Sequence, residues 1–372
     1  MTGEPPGRIV LAMHAIAARP GTTEPALVPA ADPPLPVAGE VLCRTLELGV
    51  CGTDREILET ANPLRPEGED HLVLGHEALA RVEQVGEGVD EIAPGDLVVP
   101  VVRRSLGTSP QRVDMLAFGD YTERGIVWEH GFSLPRWIDR PGHLFRVDAQ
   151  VAVVAVLAEP LSIAEKGINE ALLIQRARLG DQVWTDPPPR VLVTGMGPIG
   201  FAGMLAARAR DWPVVMYGRD DEESFRARLA RDLGGEYLSA DRFDPAPADV
   251  ERDGYDLILE CTGSDEVTMR VAGSLASRGV MVWLGSSRLQ QPKPHNVELL
   301  MRSGLLRNHV LLGCVNSAPR DFVDALAHLA QLRETHARQI EALITARVSP
   351  ADSLWHYVNR SPQGIKTVVE FA

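Results

Sequence analysis

Between residue 13 and about 103 the apolar positions come in short β-rich runs broken by glycine and proline, at 40–46, 80–85 and 96–100. Period-two alternation in the second run, closed by Gly86 and Gly88, predicts a half-buried strand in an antiparallel, barrel-like domain. Met13-His14-Ala15-Ile16 opens the first strand, which leaves residues 1–12, with Pro5-Pro6, as an expected flexible N-terminal extension. From about 190 to 317 the pattern changes to strand then helix. Strands are expected at 191–194, 214–217, 256–261, 279–284 and 310–315, with an amphipathic helix at 222–233, and this alternation predicts a parallel, doubly wound sheet. A helical stretch near 155–178 connects the two halves, and the tail from 318 is expected to pack back on the first. The chain is therefore α/β, with a β-rich domain from 13–178 and 318–372 and a Rossmann-type doubly wound domain at 179–317.

A length of 372 residues fits two cores better than one, and 45% hydrophobic residues support full globularity. The net charge of -14 argues against nucleic acid or an anionic membrane as partner, because phosphate binding needs clustered cations. Small molecules are the expected partners. Lysine occurs only at Lys166, Lys293 and Lys366, and the sequence attaches no mechanism to this. Four scattered cysteines, Cys43, Cys51, Cys261 and Cys314, make no disulfide framework and point to a reducing cytoplasm. The start lacks the pattern of a signal peptide, and no apolar run is long enough to span a bilayer.

Three strings carry chemistry that no helix or strand requires: Cys51-Gly52-Thr53-Asp54, Gly75-His76-Glu77 and Glu159-Pro160. A thiolate, an imidazole and carboxylates suit a tetrahedral catalytic zinc with one position open. Cys51 and His76 are the expected fixed ligands, Glu77 or Glu159 completes the set directly or through water, and Thr53 is placed to pass a proton toward solvent. Singly, a cysteine is more often a small buried apolar residue and a histidine a structural one. The grouping in glycine-rich turns favours the metal.

After the apolar run Val191-Leu192-Val193-Thr194 comes Gly195-Met196-Gly197-Pro198-Ile199-Gly200, in the context a dinucleotide fingerprint demands. The first glycine permits the tight turn, the second admits the pyrophosphate, and the third lets the helix approach the strand. The next strand ends Tyr217-Gly218-Arg219-Asp220-Asp221. Gly218 leaves space and Arg219 offers a cation, which favours NADP, while Asp220 as a ribose ligand would instead favour NAD. Thr262-Gly263 and Asn316 are expected to border the nicotinamide half.

These residues give the chain a resemblance to the zinc-dependent medium-chain alcohol dehydrogenases, through Gly49-Val50-Cys51-Gly52-Thr53-Asp54, Gly75-His76-Glu77, and Gly86 followed by Gly95-Asp96. More narrowly it resembles the glucose 1-dehydrogenase branch, through Cys51-Gly52-Thr53-Asp54-Arg55-Glu56-Ile57, Thr122-Glu123-Arg124-Gly125-Ile126, Gly131-Phe132 and Val315-Asn316. Leu157-Ala158-Glu159-Pro160-Leu161-Ser162 is shared with polyol dehydrogenases. The resemblance implies a GroES-like catalytic domain, zinc surrounded by Cys51, His76 and Glu77 or Glu159, and substrate hydroxyls touched by Glu123, Glu159 and Asn316. Outside the resemblance, Glu123 reads as a member of a surface ion pair with Arg124 or another cation and Asn316 as a turn residue closing the last strand. The structural-zinc lobe of that family carries four close cysteines, whereas residues 105–114 here contain none, so one catalytic zinc and no structural zinc are expected. Ala80 also stands where relatives carry glycine.

The expected activity is hydride transfer between a sugar or cyclic polyol hydroxyl and NADP, with NAD as the alternative and glucose as the leading substrate. A cyclitol, amino sugar or phosphorylated sugar is the rival, and a catalytically silent nucleotide-binding protein is the reading from another class. A homo-oligomer, dimer or tetramer, is expected, with the 310–315 strand either pairing across a dimer as in relatives or covered within the chain.

Overall fold

The computed structural model describes residues 13–107, 112–242, 244–245, 249–286 and 294–371. The expected extension at 1–12 and the centre of the cysteine-free loop, 108–111, lie outside the described residues.

In the first part of the chain the elements are β1 (His14–Ala18), β2 (Ala26–Pro29), β3 (Val41–Gly49), α1 (Gly52–Glu59), β4 (Leu72–Val73), β5 (Glu77–Val85), β6 (Leu97–Pro100), β7 (Arg103–Ser105), β8 (Tyr121–Arg124), β9 (Trp128–Glu129), β10 (Arg136–Asp139) and β11 (Leu144–Arg146). Then come α2 (Ala158–Leu179), β12 (Val191–Thr194), α3 (Pro198–Arg208), β13 (Val214–Gly218), α4 (Phe225–Asp232), β14 (Glu236–Ser239), α5 (Val250–Asp253), β15 (Tyr255–Glu260), α6 (Asp265–Ala272), β16 (Leu275–Trp283), α7 (Val297–Arg307) and β17 (Val310–Gly313). The chain closes with α8 (Pro319–Glu341), β18 (Ile344–Val348), α9 (Pro350–Val358) and β19 (Lys366–Glu370).

The central sheet of the β-rich part runs β11-β6-β5-β3-β19-β18, with β10 also on β3. Its antiparallel core buries Val41, Cys43, Leu48, Ala80, Val82, Phe132 and Trp137, while Arg81 faces solvent. β5 begins three residues before the alternating run, because Ala78 and Leu79 are also buried, and this puts Glu77 at the head of the strand. β19 lies beside β3, so a segment from the end of the chain reaches the turn after Gly49.

The second sheet is parallel, in the order β14-β13-β12-β15-β16-β17. All four residues of β12 are buried, as expected for a strand covered on both faces. β14 was not apparent in the sequence. β16 starts four residues before the expected strand and β17 ends at Gly313, two residues earlier than expected. The helix expected at 222–233 is α4, which starts at Phe225 because the Ser224 hydroxyl oxygen accepts from the Ala227 amide at 3.1 Å. The connecting helix expected at 155–178 is a 3-10 turn over Ala152–Leu157 followed by α2. Pro160 has no N–H to donate and is tolerated in a first helical turn, which fits an α-helical start at Ala158.

Candidate active site

Cys51 leaves β3 and caps the N-terminus of α1, its own amide donating to Asp54 Oδ2 at 2.9 Å. The cap turns the thiol toward the cleft and fixes the buried Asp54 beneath it. His76 is delivered by Gly75, whose φ of +88° and close approach to Leu48, 2.5 Å from where a Cβ would lie, exclude any side chain. Donor atoms of Cys51, His76 and Glu77 all lie within 4.8 Å of one another. His76 Nδ1 faces Asp54 Oδ1 at 3.6 Å, and both atoms are buried without a hydrogen-bond partner. Burial opposes a charge on His76, but Cys51 and then Asp54 outweigh it and hold its pKa well above the ordinary value. A thiolate, an imidazole and a carboxylate converging this closely, with a carboxylate behind the imidazole, suit zinc.

Glu77 has a partner that sequence reasoning missed. Lys366 on β19, fully buried, donates to Glu77 Oε1 at 2.7 Å and Oε2 at 2.5 Å. The carboxylate lies over bare backbone: a Cβ on Gly49 would be 2.0 Å from Glu77 Oε2. Glu159 lies outside the compact trio, on the cleft wall in the first turn of α2. Burial lifts its pKa, with the His76 charge opposing and Glu77 reinforcing the rise, to about 7.

Glu123 and Asn316, expected on the substrate, meet directly. Asn316 Nδ2 donates to Glu123 Oε1 at 2.8 Å, and Arg103 donates to the same oxygen from Nε at 3.0 Å and Nη2 at 2.9 Å. Arg103 is 4% exposed and stacks 3.8 Å over Tyr121, so the ion pair is a buried one with Arg103 rather than a surface pair with Arg124. Nothing in the Arg103-Arg104 string marked it in the sequence.

At the glycine-rich turn, Gly195 has φ +89° and Gly200 leaves no room for a Cβ, which would lie 2.0 Å from the Gly195 carbonyl oxygen. A Cβ on Gly197 would meet nothing within 4 Å, so this turn leaves a cradle open in front of the start of α3 at Pro198 and Ile199. Those features fit a dinucleotide pyrophosphate. The room left by Gly218 is taken by Met196, whose Cγ lies 2.5 Å from the position of a Cβ. Arg219 is exposed and has no hydrogen bond or ion pair among the described residues. Asp220 is paired with Arg226, and its carbonyl accepts from Tyr237 Oη at 2.6 Å. The Thr262 hydroxyl is bonded to the buried Glu260 carboxylate.

One cleft, about 2180 Å³ in volume, joins all of these. It is lined by Cys51, Thr53, His76, Glu77, Glu123 and Glu159 at one end, Asn316 and Thr262 between, and Gly195, Gly197, Pro198, Ile199, Gly218 and Arg219 at the other. Gly200 stands behind this surface. Arg55 and Arg360, also in the lining, escaped the sequence reading. Burial and then the Arg360 charge lower the Arg55 pKa, Arg55 Nε is buried without a partner, and Arg360 reaches to 3.7 Å from where a Cβ of Gly52 would lie.

Residues 37–133 match the alcohol dehydrogenase GroES-like domain, and residues 152–371 match the glucose dehydrogenase C-terminus. The chain belongs to the glucose dehydrogenase family. As a member of it, the chain is an NAD(P)-dependent dehydrogenase acting on a CH–OH group. It is 36% identical over 358 residues to glucose 1-dehydrogenase 2 of Vulcanisaeta moutnovskia, covering 96% of this chain and 99% of that one. Identity to the glucose 1-dehydrogenase of Thermoproteus tenax is 35% over 363 residues, with the same coverage. The glucose dehydrogenase of Haloferax mediterranei, solved in complex with NADP, Zn and gluconolactone, superposes with a TM-score of 0.84 at 30% identity, over 97% of this chain and 99% of that one. This family member shares its fold also with the 2R,3R-butanediol dehydrogenase of Bacillus subtilis, at a TM-score of 0.78, 17% identity and coverage of 97% and 100%.

Proposed function

We propose that the chain oxidises glucose at C1 to the lactone, using one catalytic zinc and preferring NADP to NAD. What carries this reading is the paired Glu123 and Asn316 facing the Cys51, His76 and Glu77 donors across one cleft, in a chain whose relatives are glucose 1-dehydrogenases. Cys51, His76 and Glu77 would hold the zinc, with Glu159 as the neighbouring carboxylate. Bound in the cleft, the metal supplies Lewis acidity to the reacting hydroxyl and the nicotinamide supplies the hydride acceptor.

The remaining work falls to the chain. Glu123 Oε1 is committed to Arg103 and Asn316, which leaves Oε2 to accept a sugar hydroxyl. One Asn316 amide proton is spent on Glu123 and its carbonyl accepts from the Ser317 amide at 2.9 Å, which leaves one donor for the sugar. A site that hydrogen-bonds particular hydroxyls rejects analogues lacking them, because its buried polar groups are then unpaired. Thr53, in the first turn of α1, takes the proton of the reacting hydroxyl toward the cleft. Arg219 faces the 2'-phosphate, and Arg55 and Arg360 offset the pyrophosphate charge. The domain division at 179–317 belongs to the same reading.

The first experiment is NADP reduction by the zinc-loaded protein with D-glucose beside other aldoses and cyclitols. Selective turnover of glucose supports the reading, and turnover of another polyol alone overturns it in favour of the rival substrates. The cysteine-free loop, which brings Asp114 beside the substrate residues, is the observation that keeps that rival. Unchanged activity of Glu123→Gln on every sugar counts against the substrate-site assignment.

We further infer a homo-oligomer. β17 is an edge strand, and beside it α7 exposes Met301, Leu305 and Leu306, an apolar face that suits a second copy. No helix among the described residues is long and apolar enough to cross a membrane. The four cysteines are all free, which supports a cytoplasmic reading.

A further inference from the structure

Lys166 on α2 is 1% exposed and all three of its ammonium protons have acceptors: Asp114 Oδ2 at 3.0 Å, the Asp114 carbonyl at 3.4 Å and the Val315 carbonyl at 2.7 Å. Asp114 belongs to the cysteine-free loop, and Val315 immediately precedes Asn316. From the same Asp114 carbonyl the bonds continue: Arg103 Nη1 donates to it at 3.0 Å, the other end of that guanidinium holds Glu123 Oε1, and Asn316 donates to that oxygen. The path therefore closes on itself, from Lys166 through Asp114, Arg103, Glu123 and Asn316 back to Val315 and Lys166. The side chains of Lys166, Asp114, Arg103, Glu123 and Asn316 are each at least nine-tenths buried, while Val315, whose side chain is exposed, contributes only its carbonyl.

We propose that Lys166 and Asp114 are positioning residues that set where Glu123 and Asn316 stand, and through them which sugar the site accepts. The inference rests on the substrate reading above. Asp114 is anchored a second time by Arg112, whose Nε and Nη2 reach its two carboxylate oxygens at 3.0 and 2.7 Å, and Arg112 is itself held by Glu170 of α2 at 2.7 Å. The base of the loop is thus fastened to α2 by the Lys166–Asp114 and Arg112–Glu170 charge pairs and by the Lys166 bond to the Asp114 carbonyl, with no thiol at any of its positions. Such a network is demanding, since a buried ammonium or carboxylate left without its partner costs far more than the pair contributes.

The helix makes this a matter of specificity and not only of stability. Glu159, Ile163 and Lys166 are spaced i, i+4 and i+7, so they share one face of α2, and Glu159 and Ile163 line the cleft. Seven residues of α-helix span about 10 Å. One rigid element therefore carries the carboxylate beside the zinc donors at one end, and the ammonium that fixes Asp114 and Val315 at the other. The interval between the reacting hydroxyl and the hydroxyls read by Glu123 and Asn316 is set by that helix. A shift of about 1 Å at such a site is enough to lose productive geometry.

The test is Lys166→Met in the full-length, zinc-loaded protein. The expected result is a KM for glucose raised about tenfold or more, a narrowed preference for glucose over its C2 and C4 epimers, and a KM for NADP within about twofold of wild type. A folded variant with a lower Tm but an unchanged sugar KM and epimer preference overturns the proposal, because a purely structural role predicts that pattern. Should Lys166→Met fail to fold, Asp114→Asn keeps the backbone carbonyl and is measured in the same way, with the same two outcomes. Should the wild-type protein oxidise no aldose, the substrate reading has failed and the crystal structure of the folded variant decides: Glu123 and Asn316 displaced by about 1 Å or more support the positioning role, and unmoved side chains overturn it.

Discussion

Lys366 of β19 and Glu77 at the head of β5 meet over Gly49 of β3, the strand between them, one ammonium bonding both oxygens of one carboxylate with neither side chain exposed. Burial lowers the Lys366 pKa, but Glu77 and then Cys51 more than restore it, and the net shift is upward. Removing one partner strands a buried charge. Lys366→Met should therefore destabilise the protein by about 3–5 kcal/mol in urea unfolding, and the double variant with Glu77→Gln should recover part of that loss. A Lys366→Met midpoint equal to wild type would show that Glu77 finds another partner.

NADP selectivity is expected to depend on Arg219. Asp220, the competing ribose ligand, is engaged by Arg226, whereas Arg219 is unpaired among the described residues. Arg219→Ala should raise the KM for NADP about a hundredfold while changing that for NAD by about threefold or less. Equal losses for the two cofactors would remove Arg219 from the phosphate site.

Metal removal should make stability depend on pH. Burial raises Glu159 to about 7, and the charges around His76 raise it above its usual range. Both groups hold protons in the folded metal-free protein that the unfolded chain releases. Their contribution is complete below the unfolded values and is lost as pH climbs through the folded ones, from about 4.5 to 7 for Glu159 and from 6.5 upward for His76. Chelator-treated protein should thus lose about 1–3 kcal/mol between pH 5 and pH 8, with a smaller loss in Glu159→Gln. Zinc, which binds the deprotonated ligands, should oppose that slope. A chelated protein that is more stable at pH 8 than at pH 5 would contradict these assignments.

Leu305 is 79% exposed on α7, beside the edge strand β17. Leu305→Glu should lower the mass measured by light scattering from that of an oligomer toward that of a single chain, because a carboxylate cannot be buried in an apolar contact without a partner. An unchanged mass would move the interface elsewhere.

The glycine-rich turn was legible from the chain because its requirements are local. A positive φ at Gly195 and the contact of Gly200 with the Gly195 carbonyl depend on residues five positions apart. Cys51, Thr53 and His76 were legible for the same reason, each fixed by its own cap or turn. The partners of the acidic residues were not. Lys366 is 289 positions from Glu77 and Arg103 is 20 from Glu123, with no spacing rule linking either pair.

The sequence by itself determined the change from short β-rich runs to strand-then-helix alternation, the parallel sheet with its glycine-rich turn, and the identities of the groups able to hold a metal, a phosphate and a hydroxyl. It also held three lysines to which it attached no role. Only the tertiary structure decided that Lys366 and Lys166 are buried, that one grips Glu77, and that the other ties the cysteine-free loop to Asn316. The reason is physical. A backbone turn is set by neighbours in the chain, whereas a charge goes into a protein interior only where distant segments together complete its hydrogen bonds.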